Sequence, residues 1–370
     1  MKKKVIISGY YGFGNIGDEA ILESIIDAIR ENKPSTEIVV LSSNPKKTSA
    51  DFNVRAISRV DIIKITMELL SASLFISGGG GLMQDTTGPT SVIYYGTLLK
   101  LAQSLNVKTM IYAQGIGPIN KDYNKKLTAF FFKKANAITV REIFAKNDLI
   151  SYGINENKIK VTADPVLLMK YNDKDRIRSI ITQTGLNPDL PIIGISIRPW
   201  KAWYERQLKA FTSVLRQIAS KYGLQILLIP FQLSSDLWLC KEADICFNTK
   251  ADSNTNIKVL SFPITPKEML GLIASMKMVV GMRLHSLIMA SVGNVPSVGI
   301  AYDPKVKHFS ELAGFPYIPS VEELENVELL LSAIESILSN YDENKKIISS
   351  NFQKLQELSF ENVKTALSFL

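Results

Sequence analysis

The sequence predicts an α/β protein made of two Rossmann-like, doubly wound domains facing one another across a cleft. Three observations carry this. Short apolar runs alternate with amphipathic helical stretches nearly from end to end. The alternation restarts near residues 170–190. The chain, at 370 residues, is longer than one ordinary core and suits two domains. Strands alternating with helices imply a parallel sheet covered on both faces.

In the first half, strands are expected at 5–8, 38–42, 74–77, 109–113 and 137–140. Helical spacing lies between them. Over 18–30, Ile21, Ile25, Ala28 and Ile29 fall on one stripe, and 92–104 and 123–134 behave similarly. Residues 173–191 read as a helix and a proline-containing link. Strands then follow at 192–197, 225–229, 258–261, 278–280 and 297–300. The expected domains are 1–172 and 173–341. The last stretch, 342–370, is long for a sheet-covering helix and is expected to pack back on the first domain.

Composition excludes several classes. With 46% hydrophobic and 21% charged residues, the chain is globular. No apolar run approaches the roughly 18 residues of a membrane span. The start, "MKKKVIISGYYGFGNIGDEA", is not a signal peptide: Gly9 interrupts the apolar run, and Asn15, Asp18 and Glu19 stand where a cleavage region should be. A cytoplasmic location follows. Cys240 and Cys246 match no metal or redox spacing and read as buried free thiols. The net charge of +8 favours anionic partners such as phosphates or a membrane surface. Nucleic acid is excluded, because no basic run is interleaved with aromatics.

In open α/β sheets, ligands sit beyond the carboxyl ends of the strands. The first such loop, "GFGNIG" at 12–17, has the form G-x-G-x-x-G. The dinucleotide fingerprint also needs a carboxylate closing the second strand, but Glu37 opens that strand instead. NAD is therefore not the expected ligand. Gly14 and Asn15 can still expose backbone N–H groups at a helix start, with Asp18 and Glu19 as a charge pair in its first turn. "SGGGGLMQD", 77–85, is poor strand or helix material, so Gly79 and Gly80 read as a loop for close ligand approach, with Gln84 and Asp85 at its edge. Gln114, in "AQGIGP", is a candidate sugar-hydroxyl contact. Arg141, in "VRE", is either an anion fork or a surface partner of Glu142. Asp164, in "ADP", is a turn former.

The second half adds Arg198 in "SIRP", Arg283 and His285 in "GMRLHS", and Lys305 in "YDPKV". All four follow strands of one sheet. Three cations and a histidine on one edge repel unless an anion is held among them. His308 lies in a charged helix start and reads as a surface residue.

These motifs, in this order over about residues 5–310, resemble the polysaccharide pyruvyl transferase family. The bacterial branch acting on secondary cell-wall polymers that anchor S-layer proteins is most similar. The resemblance implies a glycosyltransferase-B-like fold, with an acceptor-side first domain and a donor-side second domain. It implies transfer of the enolpyruvyl group of phosphoenolpyruvate onto a lipid-linked, N-acetylmannosamine-containing saccharide as a pyruvate ketal. His285 falls on the family's essential histidine, as general acid. Arg141, Arg283 and Lys305 fall on positions that handle phosphoenolpyruvate, and Arg198 joins them as a donor-binding residue. Gly14, Asn15, Asp18, Glu19, Gly79, Gly80, Gln84, Asp85 and Gln114 are the acceptor-side candidates.

The chemistry fits these residue types. Phosphoenolpyruvate carries a phosphate and a carboxylate, and arginine matches both bidentately. Ketal formation needs a proton at the methylene carbon, which suits histidine. No metal or cofactor is expected; phosphoenolpyruvate is a co-substrate. Partners are the donor, the saccharide and, peripherally, the membrane surface. Two rival readings stay open: a nucleotide-sugar-dependent glycosyltransferase of the same fold, and a non-catalytic anion- or glycan-binding protein.

Overall fold

In the computed structural model, which describes residues 3–86, 90–201, 203–249 and 256–370, the strands form two sheets. The first holds β1 (Lys4–Ser8), β2 (Glu37–Ser42), β3 (Arg55–Ser58), β4 (Leu74–Ser77), β5 (Gly80–Met83), β6 (Lys108–Ile116), β7 (Ala137–Val140) and β8 (Ile159–Val161). Its order is β3-β2-β1-β4-β6-β7-β8, with β5 beside β6. The second holds β9 (Ile192–Ser196), β10 (Gln225–Leu228), β11 (Ile257–Val259), β12 (Met278–Gly281), β13 (Ser297–Ile300) and β14 (Tyr317–Ile318), ordered β11-β10-β9-β12-β13-β14. Every strand pairing among the described residues is parallel.

The central strands are apolar without alternation because helices cover both faces. Val5, Ile6 and Ile7 of β1 are fully buried, as are Val279 and Val280 of β12. Strand order reverses between β1 and β4 in the first sheet and between β9 and β12 in the second. Those reversals are where an open α/β sheet leaves a crevice.

The chain divides into two compact units, Met1–Leu168 with Leu355–Leu370, and Met169–Lys354. The final helix, Tyr341–Leu367, contributes to both. In the second unit, the Tyr341 hydroxyl donates to the Lys277 carbonyl at 3.0 Å. In the first, Ser359 donates to the Asp164 carbonyl at 2.9 Å, and Asn362 donates to the Ala163 carbonyl at 3.0 Å. Thr162 donates to the Asn362 side chain at 2.8 Å. Ser359 and Asn362 are fully buried, so these bonds satisfy groups that water cannot reach.

Two expectations need correction. The glycine run is not wholly loop: Gly80 and Gly81 belong to β5, with Gly80 opposite Gln114 of β6. Pairing with β6 offsets the entropy that makes glycine a poor strand former. Cys240 is buried as expected, and burial pushes its thiol up to about 12. Cys246 is only half-buried, with its sulfur 3.2 Å from the Thr212 hydroxyl. Among the described residues, no helix is long and apolar enough to cross a membrane.

Candidate functional site

The second sheet brings the expected residues of its unit to one edge. Ser196 of β9 pairs with Gly281 of β12, which pairs with Gly299 of β13. Arg198 follows β9, Arg283 and His285 follow β12, and Lys305 follows β13. The four therefore leave the carboxyl ends of three adjacent parallel strands, at the reversal point. His285 is half-buried in the first turn of helix Leu284–Val292, which starts directly after Arg283. Lys305 opens helix Pro304–Ala313, where Asp303 accepts from the Lys305 backbone N–H at 2.9 Å. Helix Leu284–Val292 starts at this edge without a side-chain cap, a setting that favours anions, whereas Asp303 caps helix Pro304–Ala313.

Arg283 is held by a residue that sequence reasoning missed. Asp236, fully buried in helix Leu233–Asn248, accepts from Arg283 Nε at 2.9 Å and forms an ion pair with the Arg283 guanidinium. Asp236 also accepts from the backbone N–H of Phe231 at 3.2 Å and of Gln232 at 3.0 Å, and from Ser235 Oγ at 2.7 Å. Arg283 donates to Ser235 Oγ at 3.1 Å as well. The repulsion expected among bare cations is thus softened, because Arg283 brings its own counter-ion. The Asp236 network fixes the Arg283 side chain before any ligand binds.

Arg198 donates to the Tyr302 hydroxyl at 3.0 Å, with its guanidinium 5.2 Å from the Tyr302 ring centre. Trp203 Nε1 donates to the Arg198 carbonyl at 2.9 Å. Aromatic neighbours therefore orient Arg198. The nearest carboxylate of Lys305 is Asp303, 3.9 Å away. His308 is half-buried, not fully on the surface.

In the first unit, Asn15 caps helix Ile16–Asn32, accepting from Gly17 N–H at 3.1 Å. Gly14 is exposed in left-handed backbone, φ +72°, and a Cβ added there would meet nothing within 4 Å. Asp18 is half-buried beside Gly80, where a Cβ would lie 2.7 Å from Asp18 Oδ1. Glu19 is no simple helix-start charge. It is buried, and its Oε1 accepts from Gly12 N–H at 2.7 Å. Burial pushes its carboxyl up to about 7 and Asp18 adds to this, against the hydrogen bonds from Gly12 and Gly14.

The other loop residues have internal partners. A Cβ at Gly78 would lie 2.1 Å from the Tyr11 hydroxyl, and one at Gly79 would lie 3.0 Å from Ile21 Cγ2. The glycines make room for Tyr11, Ile21 and Asp18, which replaces close ligand approach as their reason. Gln114 is fully buried and donates to Gly78 O at 3.3 Å and Ser77 Oγ at 3.4 Å, so it faces its own sheet. Gln84 Oε1 accepts from Thr86 N–H at 2.8 Å. Asp85 accepts from Asn120 N–H at 2.9 Å, Lys121 N–H at 3.0 Å and Asn124 Nδ2 at 3.0 Å. Partial burial raises its carboxyl, but those bonds win and hold it below the usual range.

Arg141, at the end of β7, pairs with Glu142 as one of its two readings expected, but it does so buried and not on the surface. It is buried, donating to Glu142 at 2.7 Å and pairing with Asp164. Burial opposes its charge, but Glu142 and Asp164 outweigh that and keep it protonated. Asp164 is therefore an ionic partner and not only a turn former.

Comparison with known proteins places this geometry in a family. The model for "Polysaccharide pyruvyl transferase" matches residues 15–304. The chain belongs to the polysaccharide pyruvyl transferase family. The family match covers Arg141, Arg198, Asp236, Arg283 and His285, and ends one residue before Lys305. The amylovoran biosynthesis protein AmsJ of Erwinia amylovora is 21% identical, over 92% of this chain and 93% of its own. Family membership makes the chain a transferase of polysaccharide biosynthesis.

Among solved structures, HepE of Anabaena in complex with UDP-glucose has a TM-score of 0.64 at 11% identity, covering 99% of this chain and 100% of its own. The UDP-GlcNAc 2-epimerase of Neisseria meningitidis, bound to UDP-GlcNAc, has a TM-score of 0.64 at 13% identity, with 100% of both chains covered. At these identities the likeness is one of fold. The fold of this pyruvyl transferase family member is α/β and glycosyltransferase-B-like, with two Rossmann-like domains.

Proposed function

We propose that the chain transfers the enolpyruvyl group of phosphoenolpyruvate to a saccharide, forming a pyruvate ketal and releasing phosphate. The observation that supports this best is the edge formed by Arg198, Arg283, His285 and Lys305 on three adjacent strands. A small dianion with a carboxylate needs several fixed cations and one acid, and this edge supplies both residue types.

In this reading His285 protonates the methylene carbon of the donor. The resulting oxocarbenium-like centre takes a sugar hydroxyl at C2. Phosphate then leaves as a second hydroxyl closes the ketal. Arg283 and Lys305 stabilise the departing phosphate, and Arg198 holds the donor carboxylate. Asp236 positions Arg283. Arg141 has the lesser part of holding the end of β7 through Glu142 and Asp164. The donor phosphate takes one hydroxyl proton as it leaves, and the other returns His285 to its acid form.

The acceptor in this proposal is a lipid-linked, N-acetylmannosamine-containing saccharide of a secondary cell-wall polymer. The enzyme then works in the cytoplasm at the inner face of the membrane. Phosphate release from phosphoenolpyruvate, with and without a synthetic lipid-linked disaccharide of this kind, tests the reading. Acceptor-dependent release in wild type, lost in His285→Gln, is the expected result. Absence of release, together with binding of a uridine or cytidine diphosphosugar, would replace it with the glycosyltransferase reading. The UDP-sugars bound to the fold neighbours named above make that the rival to test.

A further inference from the structure

Two arginines of this chain lack the partner that an arginine ordinarily takes. Apart from Arg59 and Arg198, every arginine donates to a carboxylate or to a backbone carbonyl. Arg198 stands at the donor edge, held by Tyr302. Arg59 stands in the first unit, directly after β3, and is half-buried. Among the described residues, its guanidinium meets no carboxylate or carbonyl but three aromatic rings. The ring centres of Tyr94, Phe13 and Tyr95 lie at 4.2, 5.2 and 5.5 Å.

Rings attract a guanidinium but do not neutralise it. A charge half withdrawn from water is ordinarily paired, so this one is left with a net attraction for an anion. Its surroundings are fixed in advance. The Arg59 N–H donates to the Ser42 carbonyl at 3.0 Å, at the end of β2. The Arg59 carbonyl accepts from the Tyr94 hydroxyl at 2.6 Å. Phe13 stacks on Tyr10, with ring centres 4.0 Å apart and planes 7° from parallel. Arg59 is thus set in place before a ligand arrives, as Arg198 is in the other unit.

The location indicates the ligand. Through Phe13, Arg59 reaches the loop after β1, at the strand-order reversal of the first sheet. The same loop holds Gly14, which faces open space. A saccharide bound in that crevice carries negative charge as a phosphate ester or as a uronate carboxylate. The guanidinium fork matches either group.

We propose that Arg59 is an anion seat of the first unit, binding the phosphate or carboxylate of an anionic saccharide acceptor. Its assignment to the acceptor rests on the transferase reading above; the binding of an anionic saccharide does not.

The test is isothermal titration of the full chain with three sugars alike but for charge: methyl glucoside, methyl glucuronide and glucosyl phosphate. Phosphoenolpyruvate is titrated into the same proteins. Wild type is compared with Arg59→Gln and with Arg59→Lys, which keeps the charge and loses the fork. Wild type is expected to bind one of the charged sugars roughly tenfold or more tighter than methyl glucoside. The one preferred tells phosphate from carboxylate. Arg59→Gln is expected to lose that preference, with its affinities for methyl glucoside and phosphoenolpyruvate unchanged. Arg59→Lys is expected to keep part of the preference, and it carries the test alone should circular dichroism show the glutamine variant unfolded. Equal wild-type affinity for all three sugars overturns the proposal, as does a preference that survives both substitutions. An equal loss for neutral and charged sugars makes Arg59 a structural spacer among the rings and also overturns it. A fall in phosphoenolpyruvate affinity moves Arg59 to the donor and overturns the acceptor assignment. A wild type that prefers a charged sugar through Arg59 but does not bind phosphoenolpyruvate would sink the donor reading and leave this seat standing.

Discussion

Replacing Glu19 by Gln changes how the first unit responds to pH. Glu19 is buried against the Gly12 N–H. An ordinary glutamate titrates at 4.5, and this one at about 7. Ionising it in the folded state therefore costs about 3 kcal/mol more than in the unfolded chain. The sign follows from proton binding. The folded pKa is raised, so the native state holds the proton longer. Stability is fully present below pH 4.5 and is lost as pH rises through about 7. Gln keeps an acceptor for Gly12 N–H and does not titrate. Relative to wild type, Glu19→Gln should gain about 2.5 kcal/mol between pH 5 and pH 8.5. Tryptophan fluorescence cannot read this, because Trp200, Trp203 and Trp238 all lie in the second unit. Hydrogen exchange of the β1 and β4 amides, compared between variants at each pH, reads it directly. A variant-minus-wild-type difference that stays flat within about 0.5 kcal/mol would refute the reasoning.

Other outcomes follow from the same geometry. Asp236→Ala should destabilise the second unit by about 3–5 kcal/mol, because it strands the Arg283 charge. Asp236→Asn, which keeps the acceptor for Phe231 and Gln232, should instead raise the KM for phosphoenolpyruvate roughly tenfold with a smaller change in kcat. Steady-state phosphate release separates the two parameters. Gly78→Ala should cost about 2–3 kcal/mol, since its Cβ would lie 2.1 Å from the Tyr11 hydroxyl. Tyr11→Phe should be neutral or stabilising, because that buried hydroxyl makes no hydrogen bond among the described residues. The double variant should recover part of the Gly78→Ala loss in thermal melts. Lys305→Met should cut acceptor-dependent phosphate release by about 100-fold while leaving the melting temperature nearly unchanged.

The fold is legible in the sequence where strands are central and apolar. The expected 74–77, 137–140 and 297–300 coincide with β4, β7 and β13. The strands missed have physical reasons. β3 opens on an exposed arginine, and β8 and β14 are edge strands of three and two residues. β5 begins with two glycines and exists only through its pairing with β6. Within the second unit, the strand-end rule identifies Arg198, Arg283, His285 and Lys305, because a parallel sheet aligns its carboxyl ends. Asp236 is not legible: nothing in "PFQLSSD" says that the carboxylate turns inward to β12. Glu19 is legible only as the wrong kind of group. A carboxylate in a first helical turn reads as a dipole partner, and its burial comes with the loop folding back so that the Gly12 N–H reaches it.

The final helix sets an order on synthesis. Residues 1–168 leave the ribosome long before 355–370, yet the two segments form one unit. Until Asn362 arrives, the Ala163 carbonyl must be satisfied by water or by a chaperone. The Asp164 carbonyl meanwhile keeps the Leu167 N–H at 3.2 Å, and the Thr162 hydroxyl keeps the Val140 carbonyl at 3.3 Å. The second unit, Met169–Lys354, lies between those segments in sequence. The nascent chain thus holds its first-made domain unfinished while the second is completed, and its last helical turns decide when the first becomes resistant to proteolysis.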